Sequence, residues 1–581
     1  MRSQPRCLVL TLSLILVFIP TQVVLAEGLV AAEQNHTTLL LTNLMTFLLP
    51  LGLILLAVGA ASEDRAVDVA VAGLLSLGLA VLGYFVCGFA LQFGGVGLVS
   101  ELEGLALLTA EWSPLDLSWG TGWGLMGLRG FALNADASSL GAYLLFFSQL
   151  PLVVTAVLIP VLSLVGRVRR GALFAIALLV SAVVYPIVGN WVWGGGWLSS
   201  LGRTVGLGHG SVDFLGSGTV HLLGGLAALT GIVVFRLRRP ESSPSEVGSM
   251  PPVHFPLFMI LGALLAALGW MASAAGNPLV PADIPIVVVM VNLLFAAVGG
   301  TLTALFYAWF TTTRPDALMG ARGAIAGLVA ASASCAFIGP WSSLLIGGVA
   351  GVLLPLDLYF IDRVLRLNDP SAALAVHGFS GAWGILSLAI FADGRYGVGW
   401  NLVGEGSYLN RMGQGVTGYL SLKGYEPDIP GQIYAQLIGL AAIVIFAGAL
   451  CWGLLALLRW FYRVPTIVRE EAARLRAEAM EKQAREDELA DEPVDEELLE
   501  GGEEDSVRRP SSNEEESVRR PSSNEEESVR RLSSSQEDSV RRPSSNEEES
   551  VRRLSSSQED LVRRQSSSVE SPSDDEHEAE A

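Results

Sequence analysis

Cysteine is scarce. Four are scattered through 581 residues, at Cys7, Cys87, Cys335 and Cys451, without metal-ligand spacing. That excludes a disulfide framework and a cysteine zinc site, and the last three, in apolar runs, read as buried thiols. Charge is scarce as well over residues 1–465, which hold 20 Lys+Arg against 22 Asp+Glu. Residues 466–581 hold 17 against 35, a net of −18, so the tail carries almost all of the chain's −20 and the low isoelectric point says nothing about the rest. No nucleophile–base set or cofactor motif accompanies the histidines, which argues against an enzyme. No cofactor, metal or nucleic-acid partner is expected. A mean hydropathy of +0.48 in spite of the polar tail marks an all-α polytopic membrane protein.

Residues 1–26 read as a signal peptide. Arg2 and Arg6 form a charged start, CLVLTLSLILVFI is the apolar region, and cleavage after Ala26 fits the pattern. The rival is a retained first span, but another complete span begins at residue 37. A bilayer core needs about 20 apolar residues per helix. Eleven runs qualify, near 37–60, 66–94, 139–165, 171–193, 214–235, 255–276, 283–310, 321–337, 340–360, 371–392 and 430–460. The eighth and ninth are the shortest. Arg65, Arg167, Arg169, Arg170, Arg236, Arg238, Arg239, Arg314, Arg322, Arg363 and Arg366 lean toward one side, whereas the loops of the other side are poorer in arginine and include the acidic 101–116 stretch. The bias places the N-terminus outside and the C-terminus in the cytoplasm, in the plasma (cell inner) membrane. Many of the 63 glycines lie within spans, as in a tightly packed bundle.

Two histidines stand inside apolar runs in matching contexts, TVHLLGG around His221 and AVHGFSG around His377, each with glycine four positions on. A single histidine in such a run is commonly a satisfied core residue. A matched pair about 156 residues apart instead points to a structural repeat with one functional histidine in each half. Asp213 and Asp369 each precede their histidine by eight residues. Helix capping is the commoner role for such an acid. Two imidazoles in a narrow apolar lumen could share a proton or hydrogen-bond a small solute that has shed its water, and would disfavour a hydrated alkali cation. Without carboxylate or thiol neighbours they make a poor metal site. Before them, WVWGGGW carries Trp191, Trp193 and Trp197. These could form an interfacial belt, or one ring could face a vestibule and attract a cation.

Over residues 37–462 the chain resembles the ammonium transporter/methylammonium permease/Rhesus (Amt/Mep/Rh) family. The likeness is carried by WGGG at 193–196, DFLGSGTVH at 213–221, GAIAGLVAASASCAFIGPW at 323–341 and NDPSAALAVHGFSGAWG at 368–384. It implies eleven transmembrane helices arranged as two inverted five-helix repeats plus a final helix. It also implies a homotrimer with one pore per subunit, ammonium capture at an outer vestibule, deprotonation, and passage of ammonia along paired histidines. By position, Trp193 would be the cation–π wall, Asp213 the structural acid beside it, His221 and His377 the pore pair, and Asp369 the cytoplasmic-side acid. The sequence departs from the pattern where two stacked phenylalanines are expected, with Leu152 and Ser273 at those gate positions. Asn277 replaces a cation-binding hydroxyl, and Ala372 replaces a second acid. The loop between Trp193 and Asp213 is long and includes Arg203 and His209. The fold is expected to survive these changes; selectivity and proton coupling are where they bear. The alternatives are a Rhesus-like channel for another small neutral gas or amine, or an ammonium sensor, which would need a signalling domain after the last span.

The chain divides into the signal peptide 1–26, the transmembrane domain 27–465, a charged cytoplasmic helix 466–500 and a disordered tail 501–581. Glu470–Arg474, Glu478–Lys482 and Glu481–Arg485 are favourably ordered i,i+4 pairs, as in a solvated helix, and the family's regulatory segment is not evident there. Six eleven-residue repeats begin at Ser506, Ser517, Ser528, Ser539, Ser550 and Leu561. Rich in Ser, Arg and Glu and nearly devoid of apolar residues, they cannot bury a core. Each carries Arg-Arg-x-Ser, which makes Ser511, Ser522, Ser533, Ser544, Ser555 and Ser566 candidate acceptors for a kinase or anchors for a cytoplasmic regulatory protein. A solvated polyampholyte left by repeat expansion is the plainer reading.

Overall fold

A computed structural model describes residues 30–237, 255–281, 283–462 and 480–481. The signal segment, most of the charged helix and the six repeat serines lie outside the described residues. Eleven apolar helices build the described part: α1 (Thr37–Ala60), α2 (Glu63–Leu98), α3 (Leu140–Leu164), α4 (Arg170–Trp193), α5 (Ser217–Val234), α6 (Pro256–Gly276), α7 (Ile286–Thr312), α8 (Ala317–Ala331), α9 (Pro340–Val364), α10 (Leu374–Phe391) and α11 (Gly431–Trp460). Ten of them are long and apolar enough to cross a bilayer.

α8 is the exception, at 15 residues, and it corrects the expected 321–337 run at both ends. Asp316 accepts the Leu318 and Met319 N–H groups through Oδ1 at 2.8 and 3.4 Å and so starts the helix earlier. After Ala331 the chain turns, because the carbonyls of Ser332 and Ala333 accept the N–H groups of Leu215 and Phe214 at 2.9 and 3.3 Å. Nearly every residue of α8 is buried. Protein rather than lipid surrounds it, so the short helix and its irregular exit have partners for their polar groups.

α1–α5 and α6–α10 form two five-helix halves. An odd number of crossings starts the second half from the opposite side, which gives an inverted repeat. The equivalent first helices, α1 and α6, pack together at glycines: a Cβ added to Gly52 would collide with the backbone of Gly262 and Ala266. Arg167, Arg169, Arg236, Arg314 and Arg366 occupy the odd-to-even links between helices, Arg65 and Arg170 the first turns of α2 and α4, and Arg363 the last turn of α9, so all lie at one end of the bundle. Arg322 is not on a link; it lies inside α8, buried, and donates to the Pro370 carbonyl at 2.7 Å. Longer loops cover the opposite end. There Gln432 and Gln436 of α11 clamp the segment before α5: Gln432 accepts the His209 N–H (2.9 Å) and donates to the Gly210 carbonyl (2.9 Å), while Gln436 accepts the Val212 N–H (2.7 Å) and donates to its carbonyl (2.8 Å).

Candidate functional site

α5 and α10 begin alike. Each opens with a wide π-helical turn, Ser217–Leu222 and Leu374–Phe379, and each turn carries its histidine. Such turns shift the side chains that follow and are frequent at functional sites. Both are capped by the acid eight residues before the histidine. Asp213 Oδ2 accepts the N–H groups of Gly218 (2.9 Å) and Thr219 (2.8 Å) and the Thr219 hydroxyl (2.9 Å). Asp369 Oδ2 accepts the Leu374 N–H (2.8 Å), and its Oδ1 accepts the hydroxyls of Ser371 (3.0 Å) and Ser163 (3.1 Å). The repeated Asp-x7-His spacing is thus a capping device that sets where each imidazole lies.

The two imidazoles meet. Nδ1 of His221 and Nδ1 of His377 are 3.1 Å apart, with ring centroids at 5.2 Å and planes within 14°. Both rings are buried. The glycine four positions after each histidine explains the approach. A Cβ on Gly225 would lie 2.7 Å from the backbone of Gly378, and one on Gly381 would lie 2.5 Å from the Ser217 carbonyl. Each glycine therefore makes room for the partner's π-turn. Five residues before each histidine the backbone is left-handed, at Gly216 (φ 91°) and at Ala372 (φ 58°). Glycine takes this conformation freely; alanine does not.

Sequence reading missed Trp270. Its ring stacks on His221 at 4.7 Å and 19°, and its Nε1 donates to Ser332 Oγ at 2.8 Å. Trp270 faces the His221 ring, and His221 meets His377 edge to edge, so the three rings form a continuous row. The Gly269-Trp270 pair in α6 was visible in the sequence, but a tryptophan in an apolar run also fits a core or belt residue. Trp193 ends α4 and donates through Nε1 to the Asp213 carbonyl at 2.7 Å, which fixes its ring beside the first cap. Asp213 Oδ1, buried with the rest of the side chain, has no protein donor. The first gate position, Leu152, is buried within α3. Ser273 donates to the Trp270 carbonyl at 2.7 Å, one turn back in α6. Asn277, just past the C-terminal end of α6, uses its Oδ1 to accept the Leu279 N–H at 3.0 Å.

The second acid lies among positive groups. Arg167 donates to the carbonyls of Ser163 and Asn368, and Arg322 to that of Pro370, on either side of Asp369. Burial draws Arg167 down to about 10 while Asp369 pulls it up, so it is charged at neutral pH. At the other end His209, in the long loop, is fully buried against Tyr408 at 4.4 Å, and burial lowers it to about 4. Among the described residues no group of three or more His, Cys, Asp or Glu could hold a metal ion.

The profile of the Ammonium Transporter Family matches residues 36–484. The chain belongs to the ammonium transporter family. The match extends past the last span into residues 463–484, where no family likeness was expected from the sequence. The chain is 32% identical to ammonium transporter Amt2 of Archaeoglobus fulgidus, over 62% of this chain and 72% of that protein. It is 25% identical to the ammonium transporter of Bacillus subtilis, over 60% and 78%. Among solved structures it is similar to a sensor Amt protein, with a TM-score of 0.59 at 25% identity over 76% of this chain and 96% of the other. Candida albicans Mep2 shares the fold, with a TM-score of 0.58 at 22% identity over 73% and 84%.

Proposed function

We propose that this membrane protein transports ammonium by passing ammonia along His221 and His377. The observation that carries the reading is the 3.1 Å contact between the two Nδ1 atoms. Only one proton fits between them, so in the neutral pair one Nδ1 donates and the other accepts. The Nε2 atoms are then unlike: one bears a proton, the other a lone pair. The pair can therefore accept an N–H of ammonia at one ring and donate to its lone pair at the other. An alkali cation finds no such match and no replacement for its hydration shell.

Trp193 and the donor-free Oδ1 of Asp213 supply an aromatic face and negative charge for capturing the cation at the outer end. Deprotonation follows before the narrow row of Trp270, His221 and His377. With Leu152 and Ser273 in place of aromatic gate residues, Trp193 and Trp270 are the rings left to exclude water. Asn277 Oδ1 accepts the Leu279 N–H and keeps a second lone pair for the cation. The chain works as a homotrimer in the plasma (cell inner) membrane, with the N-terminus outside and the arginine-rich end and tail in the cytoplasm; the arginines on the odd-to-even links support this orientation.

The test is solid-supported-membrane electrophysiology on purified protein in liposomes, with ammonium, methylammonium and potassium jumps. A current with ammonium but not potassium, lost or made unselective in a His221→Ala/His377→Ala variant, is expected. Folded protein that gives no ammonium current, while still binding ammonium, would replace transport with sensing.

A further inference from the structure

At the arginine-rich end a cleft of about 390 Å³ opens between the first turns of α2 and the α3–α4 link. Its rim carries two charges of each sign, Asp64, Arg65, Asp68 and Arg170. Arg170 bonds Asp68 at 3.2 Å, with the two side chains 76% and 53% exposed. Its floor is apolar and open: Val71, Leu75 and Phe174 are 44%, 41% and 36% exposed. Leu75 lies seven residues beyond Asp68, about 10 Å further along the helix. Charge at the rim and apolar surface below it follow the order in which headgroup and acyl chains lie in a bilayer.

We propose that this cleft binds one zwitterionic aminophospholipid, with its phosphate on Arg65 and Arg170 and its ammonium on Asp64 and Asp68. The balanced rim selects the class. An anionic headgroup without an amine, such as phosphoglycerol, would meet two carboxylates with no cation of its own to offer them, and a phosphoserine headgroup would add a third carboxylate. A choline headgroup has no N–H to donate to a carboxylate oxygen. A soluble phosphate compound would leave the apolar floor uncovered. The exposed Arg170–Asp68 pair is weak enough for a headgroup to enter between its members. This inference rests on the membrane placement of the helices and is independent of what the pore conducts.

The test is lipid retention. The full chain is reconstituted in phosphatidylcholine nanodiscs containing equal fractions of phosphatidylethanolamine and phosphatidylglycerol, then extracted in mild detergent. Bound lipid is counted per chain by mass spectrometry. About one retained phosphatidylethanolamine per chain is expected, not displaced by free phosphoethanolamine. Asp68→Asn and Arg170→Gln should each lower retention about fivefold, the worth of one charge at a lipid surface. Leu75→Trp, which fills the floor, should abolish it while size-exclusion profiles stay unchanged. Preferential retention of phosphatidylglycerol, no enrichment over phosphatidylcholine, or enrichment indifferent to all three variants would overturn the assignment.

Discussion

Replacing Gly225 with alanine tests whether close packing of α5 on α10 is what brings the histidines together. The new methyl would sit 2.7 Å from the Gly378 backbone, against an ordinary contact of 3.4–4 Å. The two segments must therefore separate by about 0.7 Å or more. The Nδ1 atoms, at 3.1 Å, already stand near the outer limit of a good hydrogen bond. The same shift would take them to about 3.8 Å, where no bond remains. Overpacking costs about 1–3 kcal/mol, offset by about 1 kcal/mol because alanine is the better helix former. The variant should fold, with stability lowered by about 2 kcal/mol at most, while ammonium-evoked current falls at least about tenfold, the worth of one lost 1.4 kcal/mol contact at the transition state. Gly381→Ala, whose methyl would press on the Ser217 carbonyl, should do the same. Gly78 and Gly448 have no atom within 4 Å of an added Cβ, so alanine there should leave the current intact. A wild-type current from well-folded Gly225→Ala protein would refute the reasoning.

Ser332→Ala strips the Trp270 indole of its buried acceptor; a loss of about 1–3 kcal/mol in stability and a fall in ammonium over potassium selectivity are expected, read by thermal melting and electrophysiology. Ala372→Gly relieves a left-handed alanine and should raise stability by about 1 kcal/mol with unchanged current; a lower melting temperature would count against the strain. His209 is held below its ordinary value, so the unfolded chain takes up its proton first and the folded state loses about 1.4 kcal/mol per pH unit as pH falls from about 6.5 toward about 4. Burial raises the nearby Asp428 carboxyl, which acts with the opposite sign, so the measurement is the difference between wild type and His209→Gln in denaturant titrations across that range. Equal slopes in the two proteins would show that His209 does not titrate there.

The meeting of the two histidines was legible because it leaves a periodic trace: Asp-x7-His and His-x3-Gly occur twice, and each spacing has a mechanical meaning in the structure. The acid caps a π-turn and the glycine admits the partner helix. Spans were legible from hydropathy alone even where protein buries most of the helix, as in α3 and α5. α8 was displaced because its ends are set by the Asp316 cap and by pairing of 332–333 with 214–215, which sequence periodicity does not report. Trp270 was missed for a different reason. Its role depends on a row of rings built from α5, α6 and α10, and nothing local separates it from a belt tryptophan. That the Asn277 oxygen also accepts the Leu279 N–H, two residues on, was not legible from its chain position.

In the proposed transport reading, the inverted repeat makes the two ends of the pore alike in backbone and unlike in charge. At one end the capping acid sits beside an indole, and one of its oxygens has no protein donor. At the other the equivalent acid has all its nearest partners supplied by serines and a backbone N–H, and buried Arg167 and Arg322 bond the backbone on either side of it. A cation approaching the first end gains from both groups. A cation leaving past the second meets the net positive charge of two guanidinium groups beside one carboxylate in a region of low dielectric, and an uncharged ammonia does not. The same acid placed by the same helix geometry thus attracts charge at the entrance and, through its arginine neighbours, opposes charge at the exit. That asymmetry favours loss of the proton before the histidines, with the hydrogen-bonded imidazole pair as the stretch where the neutral molecule replaces its lost water.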